Sequence, residues 1–492
     1  MSDTEVEAPE PEEALGRSVG RALGWSTIAQ VLGRAGSFAV GIVLARLLTQ
    51  EDFGAYAVTL VAMSILIVLN DLGVIAAVIR WPGDVRAVAR TAATVSAASS
   101  VLIFLAACLA AGPFARALGS PDSAALVRVL MIVILIDGFS ASHQAILVRT
   151  FRNDHLARAE LAGFALGTPI TIALAVSGAG AWSIVIGRVA GAAVVALLVV
   201  RAAPFPIRPA FDRALARRLI GFGLPLAAGA VVAQAVLNVD YMIIGSQLGT
   251  LQLGIYLLAF NLSSWPASLV SAVIDRVAFA GFSRLVEDRD RLVSAFPRAI
   301  GVVMSGLVPM VVILAVLAPE IIGFLYGDKW LVAATPLRFL VVLGGLRIFI
   351  DLLLNLSVAD GRPGVALRIR LAWLAAVVPA LAIGAAVDGL RGVGIAHVLV
   401  AAGVTIPWLL ADARRSGIQG STLARHAGRP LAAGAVSAAA MLVLAPAIPG
   451  VLLKLVIVGA AGTLAYLAVL LPHNELILWA VSRVRPVRGS VA

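Results

Sequence analysis

Fourteen apolar stretches, each long enough to cross a bilayer, follow one another along this chain with little between them. They begin near Leu23, Gly54, Val88, Ala124, Leu156, Ala181, Leu219, Gly254, Ala299, Thr335, Val365, Val393, Leu431 and Val451. A hydrocarbon core of about 30 Å takes roughly 20 apolar residues as a helix. Inside it every backbone N–H and C=O needs a partner, which leaves only helices and closed barrels, and runs of this length are helices. The expected fold class is an all-α integral membrane protein with 14 transmembrane helices. Composition agrees, because 61% of the 492 residues are hydrophobic and 13% are charged, against about 25% charged in a soluble domain.

The basic residues supply an independent check on the span count. Of 38, only Lys329 and Lys454 are lysine. With the N-terminal tail placed inside and the connections alternating, 28 fall inside, 6 outside, and 4 (Arg34, Arg188, Arg338 and Arg347) within helices. A miscounted helix would scramble this alternation from that point on. The expected topology is multi-pass with both termini cytoplasmic. The charge of +11 therefore reports orientation rather than a nucleic-acid partner. Cys108 is the single cysteine, so no disulfide framework or Cys-based metal site is expected. The opening "MSDTEVEAPEPEEALGR" is acidic, lacks a basic n-region, and reads as a short disordered tail rather than a signal peptide.

A phrase recurs at an offset of two hundred residues. "LARLLTQEDFGAYAV" at 44–58 aligns with "IGSQLGTLQLGIYLL" at 244–258, and Leu48, Gly54 and Tyr56 meet Leu248, Gly254 and Tyr256. Each copy joins two spans on the outer side, and six spans separate them, so the copies run in parallel topology. Parallel repeats of several helices are a transporter pattern, with the substrate path between the halves. The expected organisation is an acidic cytoplasmic tail (1–21), a six-helix bundle (22–203), a basic cytoplasmic linker (204–218), a second six-helix bundle (219–412), two additional helices (413–472) and a cytoplasmic tail (473–492). The Gly-x-Tyr pair is expected to form a turn and an interfacial anchor in each copy.

Catalytic chemistry is hard to find. Neither lysine follows a glycine, so there is no Walker A motif, and no HExxH arrangement occurs. The one GxSxG (Gly16–Gly20) and the one HxE (His473–Glu475) lie in the two expected terminal tails, outside the strand–turn–helix and paired-ligand contexts those motifs need. No catalytic residue, metal or cofactor is expected, and energy would come from an ion gradient or the substrate's own gradient. What remains is polar side chains inside helices, which are costly there and usually face the protein interior or a water-filled cavity. Gln30 and Arg34 lie one turn apart on the first span, and Asn70 and Asp71 near the inner end of the second. Asp137, followed by His143 and Gln144, lies on the fourth, and Arg188 on the sixth. Gln234, Asn238 and Asp240 mark the seventh and Asn261 the eighth. Arg347, Asp351 and Asn355 form a stripe at i, i+4 and i+8 on the tenth. The stripe reads either as a self-neutralising Arg–Asp pair or as pathway lining. Arg34 reads as a pathway residue, a partner of Asp71 or Asp240, or a snorkelling arginine. Asp71, Asp137, Asp240 and Asp351 are ion-coupling or charge-pair candidates. Prolines interrupt helices at Pro169, Pro225, Pro266, Pro309 and Pro379, and Pro225 is the expected hinge. Gly163 and Gly167 form a GxxxG expected to pack two helices closely.

The stretches "LARLLTQEDFGAYAV", "NDLGVIAAVIR" at 70–80, "NVDYMIIGSQLGTLQLGIYLLAFNL" at 238–262 and "FAGFSRLVEDRDRL" at 279–292 resemble polysaccharide exporters of the multidrug/oligosaccharidyl-lipid/polysaccharide (MOP) flippase superfamily. Ala280 stands where that family often has proline. The resemblance spans roughly residues 20 to 300. It implies a bacterial inner-membrane flippase moving a polyprenyl-diphosphate-linked glycan by alternating access, with membrane lipids and glycan-assembly machinery as neighbours. It also implies that Arg34 and other cavity arginines meet the diphosphate; the intramembrane polar residues Arg188, Arg347, Gln30, Gln234, Asn238, Asn261 and Asn355 are the further pathway candidates. Guanidinium groups suit that cargo because they match phosphate oxygens bidentately. The alternatives are a cation-coupled multidrug antiporter of the same superfamily, a flippase for a lipid-linked peptidoglycan precursor, a membrane-embedded glycan polymerase or ligase, and a scaffold. The antiporter would prefer an acidic, aromatic-lined cavity, and the polymerase a large external loop.

Overall fold

The structure is a computed structural model that describes residues 33, 35–71, 74–81, 85–285, 289–360 and 362–471. Most of the described residues are helical, with no strand among them, and they include 11 helical segments long and apolar enough to cross a membrane. The chain divides into two compact units, Met1–Asn238 and Val239–Ala492.

In the first unit α1 (Ala35–Leu47) leads into α2 (Gln50–Asp71), α3 (Val74–Arg80), α4 (Val85–Ala117), α5 (Ala124–Leu130), α6 (Ile132–Arg149), α7 (Asn153–Val176), α8 (Ala181–Ala202) and α9 (Arg213–Leu237). The break between α1 and α2 falls at Leu48–Thr49, inside the repeated phrase, and its chemistry is legible. Thr49 Oγ1 accepts from the Asp52 N–H at 3.1 Å, and the Asp52 carboxylate accepts from the Thr49 N–H at 2.9 Å. This reciprocal box satisfies donors that a helix start otherwise leaves orphaned. The other Asp52 oxygen accepts from the N–H of Ala181 at 2.9 Å, so one carboxylate caps α2 and ties it to the start of α8.

α7 and α8 form a tight hairpin. A Cβ on Gly167 would stand 2.7 Å from the Gly187 carbonyl oxygen, and one on Gly163 2.8 Å from that of Gly191. The expected close packing through Gly163 and Gly167 is present, and a second GxxxG, Gly187 and Gly191, supplies its other face.

On the cytoplasmic side of the expected topology, the connection after α8 is laid along α4. The Ala210 N–H donates to the Arg90 carbonyl at 3.3 Å, and Arg90 Nε donates to the Arg208 carbonyl at 3.1 Å. Ile207 is buried with Val88, Ala92, Ile146 and Leu219, and Phe205 packs beside them. Arg86 stacks over Phe205 at 5.0 Å and Arg218 over Trp81 at 4.9 Å. Two apolar side chains thus dock a connection whose composition reads as a loose basic linker.

The second unit begins with α10 (Val239–Leu285), bent at Gly249, where φ is 83° and ψ 177°. Such values are open almost only to glycine. α11 (Arg289–Val316), α12 (Ala318–Tyr326), α13 (Ala334–Ala359) and α14 (Pro363–Val400) follow. α14 turns back on itself at Asp388–Gly389, so that Gly384 and Gly392 meet backbone to backbone. A five-residue π turn at Ala401–Thr405 leads into α15 (Ile406–Arg415). Arg362 clasps the ends of these helices by donating to Asp412, Ser416 and Asp360, while Ser357 donates to the other Asp412 oxygen. Finally α16 (Gly420–Leu444) and α18 (Gly459–Leu470) pack on α11, and the short α17 (Val451–Leu453) packs on α12. Tyr466 donates to the Ser305 carbonyl at 3.0 Å, and Gly434 lies against Val308.

One expectation is corrected. Gly54 and Gly254 lie inside helices, and the breaks sit at Leu48–Thr49 and Gly249. Tyr256 is fully buried rather than an interfacial anchor, because its hydroxyl has a carboxylate to meet inside the second unit.

Candidate functional site

Gln30 and Arg34 lie outside the described residues, as do the side chains of Asp71 and Pro225. The remaining polar residues fall into two groups, one in each unit.

In the first unit a cluster joins α2 to α6. Asp137 accepts from Asn70 Nδ2 and from Gln144 Nε2, each at 3.2 Å, and Asn70 also donates to the Ile134 carbonyl. Gln234 Nε2 donates to the Ser64 carbonyl at 3.2 Å, tying α9 to α2, and Asn238 Nδ2 donates to the Gln234 carbonyl at 2.7 Å. Gln234 and Asn238 are therefore engaged in holding helices. Arg188 differs, being exposed on α8 with no ion pair among the described residues.

In the second unit the α13 stripe is open. Arg347 is half-buried, with its guanidinium 5.7 Å from the centre of the Phe260 ring, while Asp351 and Asn355 are exposed. Arg347 and Asp351 make no direct ion pair among the described residues, although the guanidinium groups of Arg370 and Arg347 both act on the Asp351 carboxylate at longer range. Asn261, next to Phe260, is exposed as well.

Behind Arg347 lies a buried group. Asp240 sits in the first turn of α10, just after the helical path breaks at Asn238, where φ is −110° and ψ 9°. Its carboxylate accepts from the Tyr256 hydroxyl at 2.7 Å and from the Tyr241 N–H at 2.9 Å. His397 Nε2 lies 3.7 Å from the Asp240 carboxylate and 3.4 Å from the Tyr256 hydroxyl. Asp240, Tyr256 and His397 are each at most 2% exposed. The Tyr241 ring meets Tyr256 edge-on at 5.5 Å. Sequence reading found Asp240 but missed His397 and the role of Tyr256. The available signal was a histidine placed eight residues after Gly389, the register at which Arg188 follows Gly180. Gly180 (φ 56°, ψ −137°) and Gly389 (φ 54°, ψ −136°) share one backbone conformation, each just before a helix.

Chemically, this arrangement offers one exposed and one half-buried guanidinium group, at Arg188 and Arg347, suited to anions, and one buried acid–histidine pair. Among the described residues no group of three or more His, Cys, Asp or Glu side chains could hold a metal.

Comparison with known proteins gives the family and the fold. A profile of the family described as polysaccharide biosynthesis protein matches residues 43–335. The lipopolysaccharide biosynthesis protein WzxC of Escherichia coli (strain K12) is 24% identical over 378 residues, 76% of this chain and 77% of its own. The succinoglycan biosynthesis transport protein ExoT of Rhizobium meliloti (strain 1021) is 28% identical over 339 residues, 67% of each chain. Among solved structures, the lipid II flippase MurJ in an inward closed conformation superposes with a TM-score of 0.76 at 14% identity, covering 92% of this chain and 99% of that one. An inward-facing MATE family multidrug resistance transporter gives 0.60 at 16% identity, covering 78% and 94%. The protein belongs to the polysaccharide biosynthesis protein family and has the fold of the MOP flippase superfamily.

Proposed function

We propose that this protein is a flippase of the bacterial inner membrane that carries a polyprenyl-diphosphate-linked oligosaccharide, a cell-surface polysaccharide precursor, between leaflets. The observation that carries the reading is the match to WzxC and ExoT over two thirds or more of each chain. Fourteen spans, arranged as two six-helix bundles plus two further helices with both termini cytoplasmic, work by alternating access. The second copy of the repeated phrase and the shared conformation of Gly180 and Gly389 support a duplicated bundle. Arg188 and Arg347, with Arg34, meet the diphosphate. An exposed mid-helix arginine in a membrane protein faces water-filled space or an anion, since lipid contact is costly. The protein transports and performs no bond-breaking chemistry. Its partners are the lipid-linked glycan, membrane lipids and the glycan-assembly machinery.

The test uses proteoliposomes carrying a fluorescent polyprenyl-diphosphate oligosaccharide and a membrane-impermeant quencher. The native protein is expected to render the internal pool quenchable. Arg347→Ala and Arg34→Ala should each slow this by about tenfold or more, because a hydrogen bond to a charged group contributes about 1.5–3 kcal/mol. No flipping by native protein, alongside uptake of a small cationic dye, would replace this reading with a drug antiporter.

A further inference from the structure

The buried group in the second unit has features that helix packing alone does not call for. A carboxylate taken fully out of water needs a positive partner or several donors. Asp240 has two donors, the Tyr256 hydroxyl and the Tyr241 N–H, and one partner, His397, whose charge depends on whether it holds a proton. The charged or titratable groups whose fields reach this carboxylate are His397 on α14, Tyr241 and Tyr256 on α10, and Arg347 on α13. Arg347 lies across Phe260, so it biases the site without closing it. The other ring nitrogen of His397, Nδ1, has no hydrogen-bond partner among the described residues, although the residue is 1% exposed. Nδ1 is thus the unengaged edge of the ring, the one at which a proton can be taken up or given away when the site opens to water.

The backbone is irregular on both sides of the pair. Asp240 follows the helix break at Asn238 by two residues, and that break is where the chain passes from one compact unit to the next. His397 precedes the π turn at Ala401–Thr405 by one helical turn, and the buried Thr405 hydroxyl is also unpartnered. π turns within helices concentrate at functional sites, and half-helix ends near the middle of a span are where transporters place coupling ions.

We infer that Asp240, Tyr256 and His397 form an exchangeable proton site that couples a proton to movement at the Asn238 joint. With the proton bound, an imidazolium at His397 faces the Asp240 carboxylate and the pair is neutral. On release through Nδ1 the proton leaves to water and one negative charge remains, shared with the Tyr256 hydroxyl. The charge next to the joint therefore changes by one per proton. The coupling role rests on the transport reading above, whereas the proton site does not.

Two measurements separate them. The first records nitrogen NMR spectra of the protein labelled with ¹⁵N-histidine in nanodiscs, from acidic to alkaline pH, with His397→Gln to assign its signals. The native protein should gain imidazolium signals on acidification that are absent in His397→Gln and lost at the same pH in Asp240→Asn. Asp240→Glu, which keeps the carboxylate, should retain them. A His397 ring that keeps one neutral form throughout, or that titrates identically in Asp240→Asn, overturns the site. The second measurement imposes a pH gradient on proteoliposomes. One proton per cycle makes a one-unit gradient worth about a tenfold displacement of lipid-linked glycan between leaflets, and Tyr256→Phe and His397→Gln should abolish that displacement. A response to a sodium gradient instead, or a displacement surviving in His397→Gln, overturns the coupling. Native protein that flips nothing sinks the transport reading and leaves the NMR result to decide the proton site.

Discussion

Asp52 shows how much one side chain can organise. Its two carboxylate oxygens close the capping box with Thr49 and hold the first N–H of α8, two helix starts far apart in sequence. Loss of such a cap costs about 0.5–2 kcal/mol, and here a second helix start loses its acceptor as well. Asp52→Ala should therefore lower the unfolding midpoint in detergent by more than Thr49→Ala, while Asp52→Asn, still a good acceptor, should sit near the native value. Equal midpoints for Asp52→Ala and native protein would show that neither bond contributes. The run "TQED" holds the Thr–Asp spacing of the box, but nothing local links residues 52 and 181, so the tie to Ala181 has no sequence signal. Asp240 teaches the same lesson. A lone aspartate in an apolar span signals importance, yet its partners Tyr256 and His397 come from 16 and 157 residues further on.

Among the elements, glycine placement separates contact from slack. Gly167 lies against the backbone of Gly187 and Gly191, which cannot move aside, whereas a Cβ on Gly306 of α11 would meet nothing within 4 Å. Overpacking a tight interface costs about 1–3 kcal/mol, and glycine inside a helix is about 0.5–1 kcal/mol worse than alanine. Gly167→Ala should thus destabilise the α7–α8 hairpin, and Gly306→Ala should leave stability unchanged or raise it. Thermal unfolding of both variants in one detergent tests the contrast, and the reverse order would refute the packing described. The Gly163–Gly167 spacing already pointed to close packing in the sequence. The helix breaks did not. Gly54 and Gly254 drew attention because they repeat, while the true breaks lie at Thr49, whose side chain caps, and at Gly249, whose backbone only glycine readily adopts. Equivalent positions use different chemistry, so identity alone misplaces the turn.

Across the molecule, the strongest reading from sequence was topological, because it summed arginines over the full length rather than relying on any one residue. Topology is also where the chain offers an unusually clean experiment, since Cys108 is its only cysteine. With Cys108→Ser as background, single cysteines can be placed at exposed positions in successive connections. Asn153, at the start of α7, and Ser421, at the start of α16, fall inside in the proposed topology, and Ser177 and Asp388 fall outside. A membrane-impermeant maleimide added to intact cells or right-side-out spheroplasts should label Ser177→Cys and Asp388→Cys, and should reach Asn153→Cys and Ser421→Cys only after permeabilisation. Ser177 precedes Gly180, and Asp388 precedes Gly389, the two glycines of matching conformation, so labelling both from one side is what parallel halves require. If Asp388→Cys labelled with Asn153→Cys instead, the second unit would be inverted relative to the first. An inverted pair has an odd number of spans between its copies, which would break the fourteen-span count and the arginine alternation together.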